Sequence, residues 1–385
     1  MDKIDELLTR GVANIIPGKA ELAKVLRSGK KLNVYLGIDP TATHIHLGHA
    51  VPLRKLQQFV ELGHHVTFLI GDFTALVGDT SDKTSERPRL SKLQIEENFK
   101  TYKQQAEKIL DFSRVTVRYN SEWLKKLGAT NFIDLAYHFS LNDFISRELI
   151  KKRLESGGSV KLPEVLYPLL QGYDSLNLDT DVQVGGTDQT FNMQAGRTLL
   201  KDVKNKESFV ITNGFLTGTD GRKMSKSWGD AIWLDDSPND MYGKVMSIKD
   251  ELIPEYFLLA TKLPISNFQS LISNSSPMQA KKQLAHQIVL ELHSQPAADA
   301  AQAHFESTVQ AGELPTEVPE ISVKSKNIVD VLVESGLASS KSEAKRLIDQ
   351  KGVRVDNKAV STMNYELSTS NSIVSVGSRK FIKIK

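Results

Sequence analysis

A doubly wound α/β fold, followed by a helical stretch and a small α+β domain, is what the 385-residue sequence predicts. Three observations lead there. Strand, helix and strand follow one another within about 40 residues, from Asn33 to Asp72, which is the βαβ unit of a parallel sheet covered on both faces. Short β-branched runs then recur between long helical periods. At about 150 residues per domain, a chain of this length holds two or three domains rather than one.

In chain order, NVYLGID (Asn33 to Asp39) is a short apolar run ending at Pro40, which suits a buried strand entering a loop. From Leu47 to Leu62 the apolar positions recur at helical spacing until Gly63. VTFLIGD (Val66 to Asp72) is the second strand, and ligands of such units bind beyond the carboxyl ends of the strands. Further strands are expected at Val115 to Tyr119, Val182 to Gly185 and Phe209 to Ile211, separated by helical stretches such as Ser91 to Leu110 and Asn131 to Leu154. From Pro238 to about Gln310 the pattern is helical. GELPTEVPEIS, with two prolines and several acids, fits a linker. After it come two helices (NIVDVLVESG, SKSEAKRLIDQ) and three short strands (VRVD, SIVSV, FIKIK).

The composition, 40% hydrophobic and 25% charged, is that of a globular protein with full cores. Cys is absent, so thiolate metal sites, catalytic thiols and disulfides are excluded. No apolar run approaches the roughly 20 residues of a membrane helix, and MDKIDELLTR mixes acids with bases unlike a secretory or transit leader, so cytoplasmic residence is expected. The stretch from Ser322 to Lys385 holds 12 Lys+Arg against 6 Asp+Glu, a net of +6, which leaves −3 of the chain's +3 to the rest. A mildly acidic body with a basic tail domain suits an enzyme with a nucleic-acid clamp.

Two motifs carry chemistry. His46, Leu47, Gly48 and His49 sit where the first strand's loop becomes a helix. Amides and the positive dipole end at a helix start attract phosphate, two imidazoles could donate to a phosphate chain, and Gly48 would let a nucleotide approach the backbone. Alone, the same residues could simply open a helix. In GRKMSKSWG, Gly221 to Gly229, Lys223 and Lys226 stand on a Gly/Ser-rich loop and could swing onto a phosphate as it gains charge in a transition state. In LYPLLQGYDSL, Tyr167, Gln171 and Asp174 are spaced by four and three and share one helix face, either solvent-exposed or lining a polar cavity. Pro168 would kink a helix starting at Pro163 or mark the first turn of a new one.

HLGH after the first strand, with KMSKS about 170 residues later, resembles the signature pair of the class I aminoacyl-tRNA synthetases. YLGIDPTATHIHLGH, LIGDFTALVGDTSDKTSER, LYPLLQGYD and VQVGGTDQTFN are similar to the tyrosyl-tRNA synthetase family of bacterial type, through essentially the whole chain. The resemblance implies a Rossmann-like catalytic domain with a connective insertion over residues 1–235, a helical domain over 236–312, a linker over 313–324 and an S4-type RNA-binding domain over 325–385. It implies that L-tyrosine is activated by ATP, with Mg²⁺ and release of pyrophosphate, and then esterified to tRNA(Tyr), in a homodimer whose interface lies in the helix-rich stretch before the Tyr167 helix. Tyr35 and Asp174 would then hydrogen-bond the substrate's phenol. Tyr167, Gln171 and Asp79 would surround its ammonium, with Gln189 near the carboxylate. The adenosine would rest on Gly37, Gly48 and Gly186, with Asp188 near the ribose. His46 and His49 would contact the phosphates, Lys223 and Lys226 would close over them, and Asp39 and Thr41 would line the same cleft. Leu36, where some relatives carry a residue that bonds the ribose, cannot do so.

In the tail, SSKSEAKRLIDQKGVRVDNKAV resembles an S4-type module. Lys341, Lys345, Arg346, Lys351 and Arg354 fall on a helix, the turn at Gly352 and the strand after it, a compact basic surface fit for the phosphates of tRNA. Two rivals stand beside this reading. A small-molecule nucleotidylyltransferase or ligase shares the HxGH loop but generally lacks a helical appendage with an RNA module. A non-enzymatic RNA-binding protein that kept a synthetase body would be expected to have damaged nucleotide motifs.

Overall fold

The computed structural model describes residues 2–41, 43–79, 91–225, 229–310, 318–356, 358–367, 372–377 and 380–385. They form two compact units, residues 1–236 with 248–280, and residues 237–247 with 281–385. The helical domain expected over 236–312 is therefore divided between the two. The helix Ile253–Ala260 buries Ile253, Tyr256, Phe257, Leu259 and Ala260, which gives it core contacts that hydrophobic periodicity alone could not allot to one unit or the other.

The first unit is built on a six-stranded sheet of order β1-β6-β5-β2-β3-β4. Its strands are β1 (Val12–Ile16), β2 (Asn33–Ile38), β3 (His65–Ile70), β4 (Thr116–Tyr119), β5 (Val182–Gly186) and β6 (Phe209–Asn213). All run parallel except β1, which pairs antiparallel with β6 at the edge. β1 is the strand that sequence reasoning missed. Only Ile15 in it is buried, so its pattern carries no apolar alternation. β2, β3 and β4 are laid down in one direction, while β5 and β6 lie on the other side of β2. The order reverses between β2 and β5, and a crevice opens there beyond the strand ends.

Helix α1 (Leu47–Glu61) follows β2 and buries Leu47, Ala50, Leu53, Leu56 and Val60, an i, i+3 series that seats one face on the sheet. The expected Ser91 to Leu110 helix runs Lys92–Ala106, entered through a capping box between Ser91 and Gln94. The expected Asn131 to Leu154 helix is instead three short ones, Ala129–Ala136, Leu141–Ile145 and Glu148–Glu155. The Ser140 hydroxyl accepts from the Asp143 amide at 3.2 Å and starts the second of them.

Helix α2 (Leu162–Asn177) runs through Pro168 without a break. A proline there supplies no N–H for the Glu164 carbonyl four residues back, and the Arg147 guanidinium donates to that carbonyl at 3.0 Å instead.

In the second unit, the helices Ile328–Glu334 and α3 (Lys341–Asp349) pack on a five-stranded sheet of order β7-β11-β10-β8-β9. Its strands are β7 (Glu320–Ile321), β8 (Val353–Val355), β9 (Lys358–Ala359), β10 (Ile373–Val376) and β11 (Lys380–Ile384). Ile328, Val331, Leu332, Ala344, Ile348, Val353, Val374, Ile382 and Ile384 share its core. β7 lies inside the expected linker of residues 313–324 and pairs parallel with β11. Two residues directly after Pro319 give too short a run to be read as a strand. In the turn after α3 the left-handed residue is Lys351, φ 56°. The Gly352 amide returns to the Leu347 carbonyl at 2.9 Å to close the helix end.

Candidate active site

A cleft of about 210 Å³ opens at the carboxyl ends of β2 and β5. Ten of the residues singled out from the sequence line it: Tyr35, Gly37, Asp39, Thr41, His49, Asp79, Tyr167, Gln171, Asp174 and Gln189. Tyr167, Gln171 and Asp174 thus face a polar cavity, which decides between the two readings of that helix face.

At one end Tyr35 and Asp174 are both buried. The Tyr35 hydroxyl lies 2.8 Å from Ser175 Oγ and donates to Gln183 Oε1 at 3.2 Å. Gln183 is held by its own Nε2, which donates to the Met193 carbonyl at 2.9 Å. Asp174 accepts from Trp123 Nε1 at 2.7 Å and from Asn120 Nδ2 at 3.2 Å. Burial outweighs these donors and pushes the Asp174 carboxyl up to about 8. Burial, with the Asp174 charge second, raises the Tyr35 hydroxyl well above the ordinary phenol range.

Next to them, the Tyr167 hydroxyl donates to Asp39 Oδ2 at 2.9 Å and Thr74 Oγ1 donates to Asp39 Oδ1 at 2.7 Å. A Cβ at Gly71 would overlap this same carboxylate, so only glycine leaves room for it. Gln189 Nε2 donates to Asp79 Oδ2 at 2.8 Å. Two carboxylates, Asp39 and Asp79, therefore face one small hollow beside the Asp174 carboxyl, an arrangement suited to an ammonium cation.

His46, Gly48, Gly186, Asp188 and Lys223 do not line the cleft; Gly48, Gly186 and Asp188 are chain neighbours of lining residues, His46 bonds His49, and Lys223 reaches Asp188. His46 begins α1, and its amide donates to His49 Nδ1 at 3.3 Å, which leaves His49 Nε2 to carry the ring proton. The two imidazole rings lie 4.0 Å apart. A short hairpin carries Lys223, with Met224 N bonded to Leu216 O at 3.0 Å and Gly218 N bonded to Arg222 O at 2.6 Å. A Cβ on Gly48 would come within 4.0 Å of Met224 Cβ, so this hairpin stands against the histidine turn. Lys223 Nζ rests 3.7 Å from the centre of the Phe215 ring and 3.5 Å from Asp188 Oδ2. Lys226 lies outside the described residues.

Sequence reasoning missed Thr74, Asn120, Trp123, Ser175 and Gln183. Gln183 had a readable signal, being the one polar residue within the apolar strand VQVGG. Asn120 directly follows the carboxyl end of β4, where site residues of such sheets gather.

In the second unit the five basic residues expected to meet RNA, Lys341, Lys345, Arg346, Lys351 and Arg354, are all exposed. Lys341 is engaged with Asp330 at 2.7 Å.

A switch-point cleft fronted by a helix start and a lysine hairpin is the layout of a nucleotide-activating α/β enzyme. Residues 27–310 match the family described as tRNA synthetases class I (W and Y), and residues 327–373 match the S4 domain. The chain belongs to the class I tRNA synthetases of the W and Y type and is an aminoacyl-tRNA ligase. Among its relatives, the tyrosine--tRNA ligase of Thermotoga maritima is 42% identical over 387 residues, covering 98% of this chain and 96% of the relative. That of Bordetella pertussis is 43% identical over 372 residues, covering 95% and 91%. The fold is shared with the C-terminally truncated mitochondrial tyrosyl-tRNA synthetase of Aspergillus nidulans, with TM-score 0.67 and 24% identity over 79% of this chain and 93% of that one. It is also shared with the tyrosyl-tRNA synthetase of Archaeoglobus fulgidus complexed with L-tyrosine, with TM-score 0.61 and 21% identity over 78% and 100%.

Proposed function

We propose that this chain is a tyrosine--tRNA ligase, which joins L-tyrosine to ATP as tyrosyl-adenylate with release of pyrophosphate, and then esterifies the tyrosine to the 3′-terminal adenosine of tRNA(Tyr). The observation that carries the tyrosine assignment is the buried pair Tyr35 and Asp174 at one end of the cleft. Both have protein partners, and the acceptor capacity left on the Tyr35 oxygen and the Asp174 carboxyl is what a ring hydroxyl can bond and a plain ring would cover without bonding, so the pair favours a hydroxylated ring.

In this reading Tyr167, Gln171 and Asp79 hold the ammonium and Gln189 guides the carboxylate. Gly37, Gly48 and Gly186 pass the nucleotide close to the backbone, and Asp188 meets the ribose. The tyrosine carboxylate is ionised at pH 7 and attacks the α-phosphate without a general base. His46, His49, Lys223 and Lys226 supply donors and positive charge as the bond to pyrophosphate breaks. Mg²⁺ enters with ATP on its phosphates.

The test is pyrophosphate exchange with each of the twenty amino acids, which is expected to respond to tyrosine alone. Exchange driven equally by tryptophan or phenylalanine would refute the assignment. A second arm reverses the tail charges. Lys345→Glu with Arg346→Glu and Arg354→Glu is expected to abolish tRNA charging at physiological salt and leave exchange within about twofold of the parent. Equal loss of both activities would contradict an RNA-gripping role for this surface.

The working form is read as a cytoplasmic homodimer. Ile133 (53% exposed), Tyr137 (84%), Leu141 (65%) and Leu162 (66%) put large apolar side chains into water within one stretch of chain, which supports this reading. Sedimentation is expected to give twice the chain mass, and Tyr137→Glu to lower it. A monomeric parent at micromolar concentration would overturn this.

A further inference from the structure

The hairpin that carries Lys223 is gripped from the side opposite the lysine. Thr217 and Lys223 face each other as an isolated antiparallel pair, flanked by the Met224 N to Leu216 O and Gly218 N to Arg222 O bonds. In such a non-hydrogen-bonded pair, the amide and carbonyl of each residue point away from the partner strand. The outward groups of Thr217 are all taken by two successive residues of the helix Ile253–Ala260. The Glu255 carboxylate accepts the Thr217 amide at 2.6 Å and the Thr217 hydroxyl at 3.1 Å. The Tyr256 hydroxyl donates to the Thr217 carbonyl at 2.7 Å.

That helix is itself fixed at its far end. Arg10 donates to the carbonyls of Phe257, Leu258 and Thr261 at 2.7 to 3.0 Å. Arg54 donates to the Ala260 carbonyl at 2.7 Å. Arg54 belongs to α1, the same helix whose first turn carries His46 and His49. The histidine turn and the lysine hairpin are thus joined, through Arg54, the Ile253–Ala260 helix and Glu255, by a brace that runs outside the cleft.

We propose that Glu255 is a positioning residue for nucleotide activation, holding the Thr217 strand so that Lys223 is presented toward the phosphates; this rests on the tyrosine-activating reading above. Glu255 touches neither Lys223 nor the cleft lining, so its effect must pass through the Thr217 backbone. The chemistry of the contact also says which substitution should be harmless. In Glu255→Gln the amide oxygen can still accept the Thr217 N–H, and the amide nitrogen can donate to the Thr217 hydroxyl, which is able to accept. In Glu255→Ala both contacts vanish and the part-buried Thr217 amide loses its protein acceptor.

Full-length parent, Glu255→Ala and Glu255→Gln are compared by tyrosine-dependent pyrophosphate exchange, equilibrium tyrosine binding and thermal melting. In Glu255→Ala, kcat is expected to fall by about 10- to 100-fold, as a misplacement of about 1 Å does to a catalytic group. Its tyrosine affinity stays within about twofold and its melting temperature within a few degrees. Glu255→Gln returns kcat to within about threefold of the parent. An unchanged kcat in Glu255→Ala overturns the inference. So does a joint collapse of kcat, tyrosine affinity and melting temperature, or a Gln variant as slow as the Ala one. A parent that shows no tyrosine-dependent exchange would instead refute the functional reading on which the inference stands.

Discussion

Asp174→Asn is expected to leave the protein more stable at pH 8 and less able to tell tyrosine from phenylalanine. The carboxyl is fully enclosed and its pKa is pushed up to about 8, chiefly by burial, from about 3.9 in an unfolded chain. A carboxyl raised on folding takes up a proton as the chain folds. Its favourable contribution is complete below about pH 4 and is lost as the pH rises toward 8. At pH 8 the loss is on the order of 5 kcal/mol. Asparagine removes that loss but sets its own NH₂ or its oxygen wrongly against one of two fixed donors. Asn120 cannot turn to help, since its Oδ1 accepts the Phe73 amide at 2.9 Å and its Nδ2 donates to Thr74. That mismatch costs about 1–3 kcal/mol. The variant should therefore gain roughly 2–4 kcal/mol at pH 8 and gain nothing, or lose slightly, at pH 5. Denaturant melts at the two pH values check this, and a stability difference independent of pH would rule out a buried charge as the cause. On the catalytic side, at pH 8, where the carboxyl is about half ionised, the variant loses a charged acceptor for the substrate hydroxyl, about 1.5–3 kcal/mol or roughly 10- to 100-fold in kcat/KM for tyrosine. Phenylalanine, which offers no hydroxyl, should be little affected, so the ratio between the two narrows. A ratio equal to the parent's would remove Asp174 from the phenol site.

The same two residues show what a sequence can and cannot disclose. Asp174 was legible because Tyr167, Gln171 and Asp174 share a face at helical spacing, and a face of that kind must look somewhere polar. Its partners Trp123 and Asn120 were not legible. They come from the residue that follows β4 and the short helix Ser121–Leu124 after it, some 50 residues away in sequence, and the parallel pairing of β3 with β4 brings them to the cleft. The six-stranded sheet was readable wherever buried strands gave unbroken apolar runs, as in β2, β3 and β6. It was unreadable at β1, an edge strand in which only Ile15 is buried. The boundary between the compact units failed for a related reason. Helical periodicity tells that the Ile253–Ala260 helix has a buried face, but Arg10, about 250 residues earlier, decides which core receives it.

Lys223→Ala is expected to slow adenylate formation by about 10²–10³-fold while tyrosine binds as before. The magnitude is that of removing one preorganised group from a site where charge develops. Lys223 is half-exposed, and its ammonium lies 3.7 Å from the centre of the Phe215 ring and 3.5 Å from Asp188. Contacts of that exposed kind hold a side chain only weakly, so little opposes its transfer to a phosphate. In the proposed reading tyrosine meets a different set of groups, at Tyr35, Asp79, Tyr167, Gln171 and Asp174, whose hydrogen bonds described above do not include Lys223. An interaction made only as charge builds on the pyrophosphate lowers kcat and kcat/KM together and spares ground-state affinity for the amino acid. Single-turnover adenylate formation, read beside equilibrium tyrosine binding, separates the two. Lys223→Arg should recover part of the rate, because the charge is kept while the planar fork replaces a compact point charge. A variant that binds tyrosine as weakly as it reacts would show that the lysine supports the pocket rather than the departing phosphates.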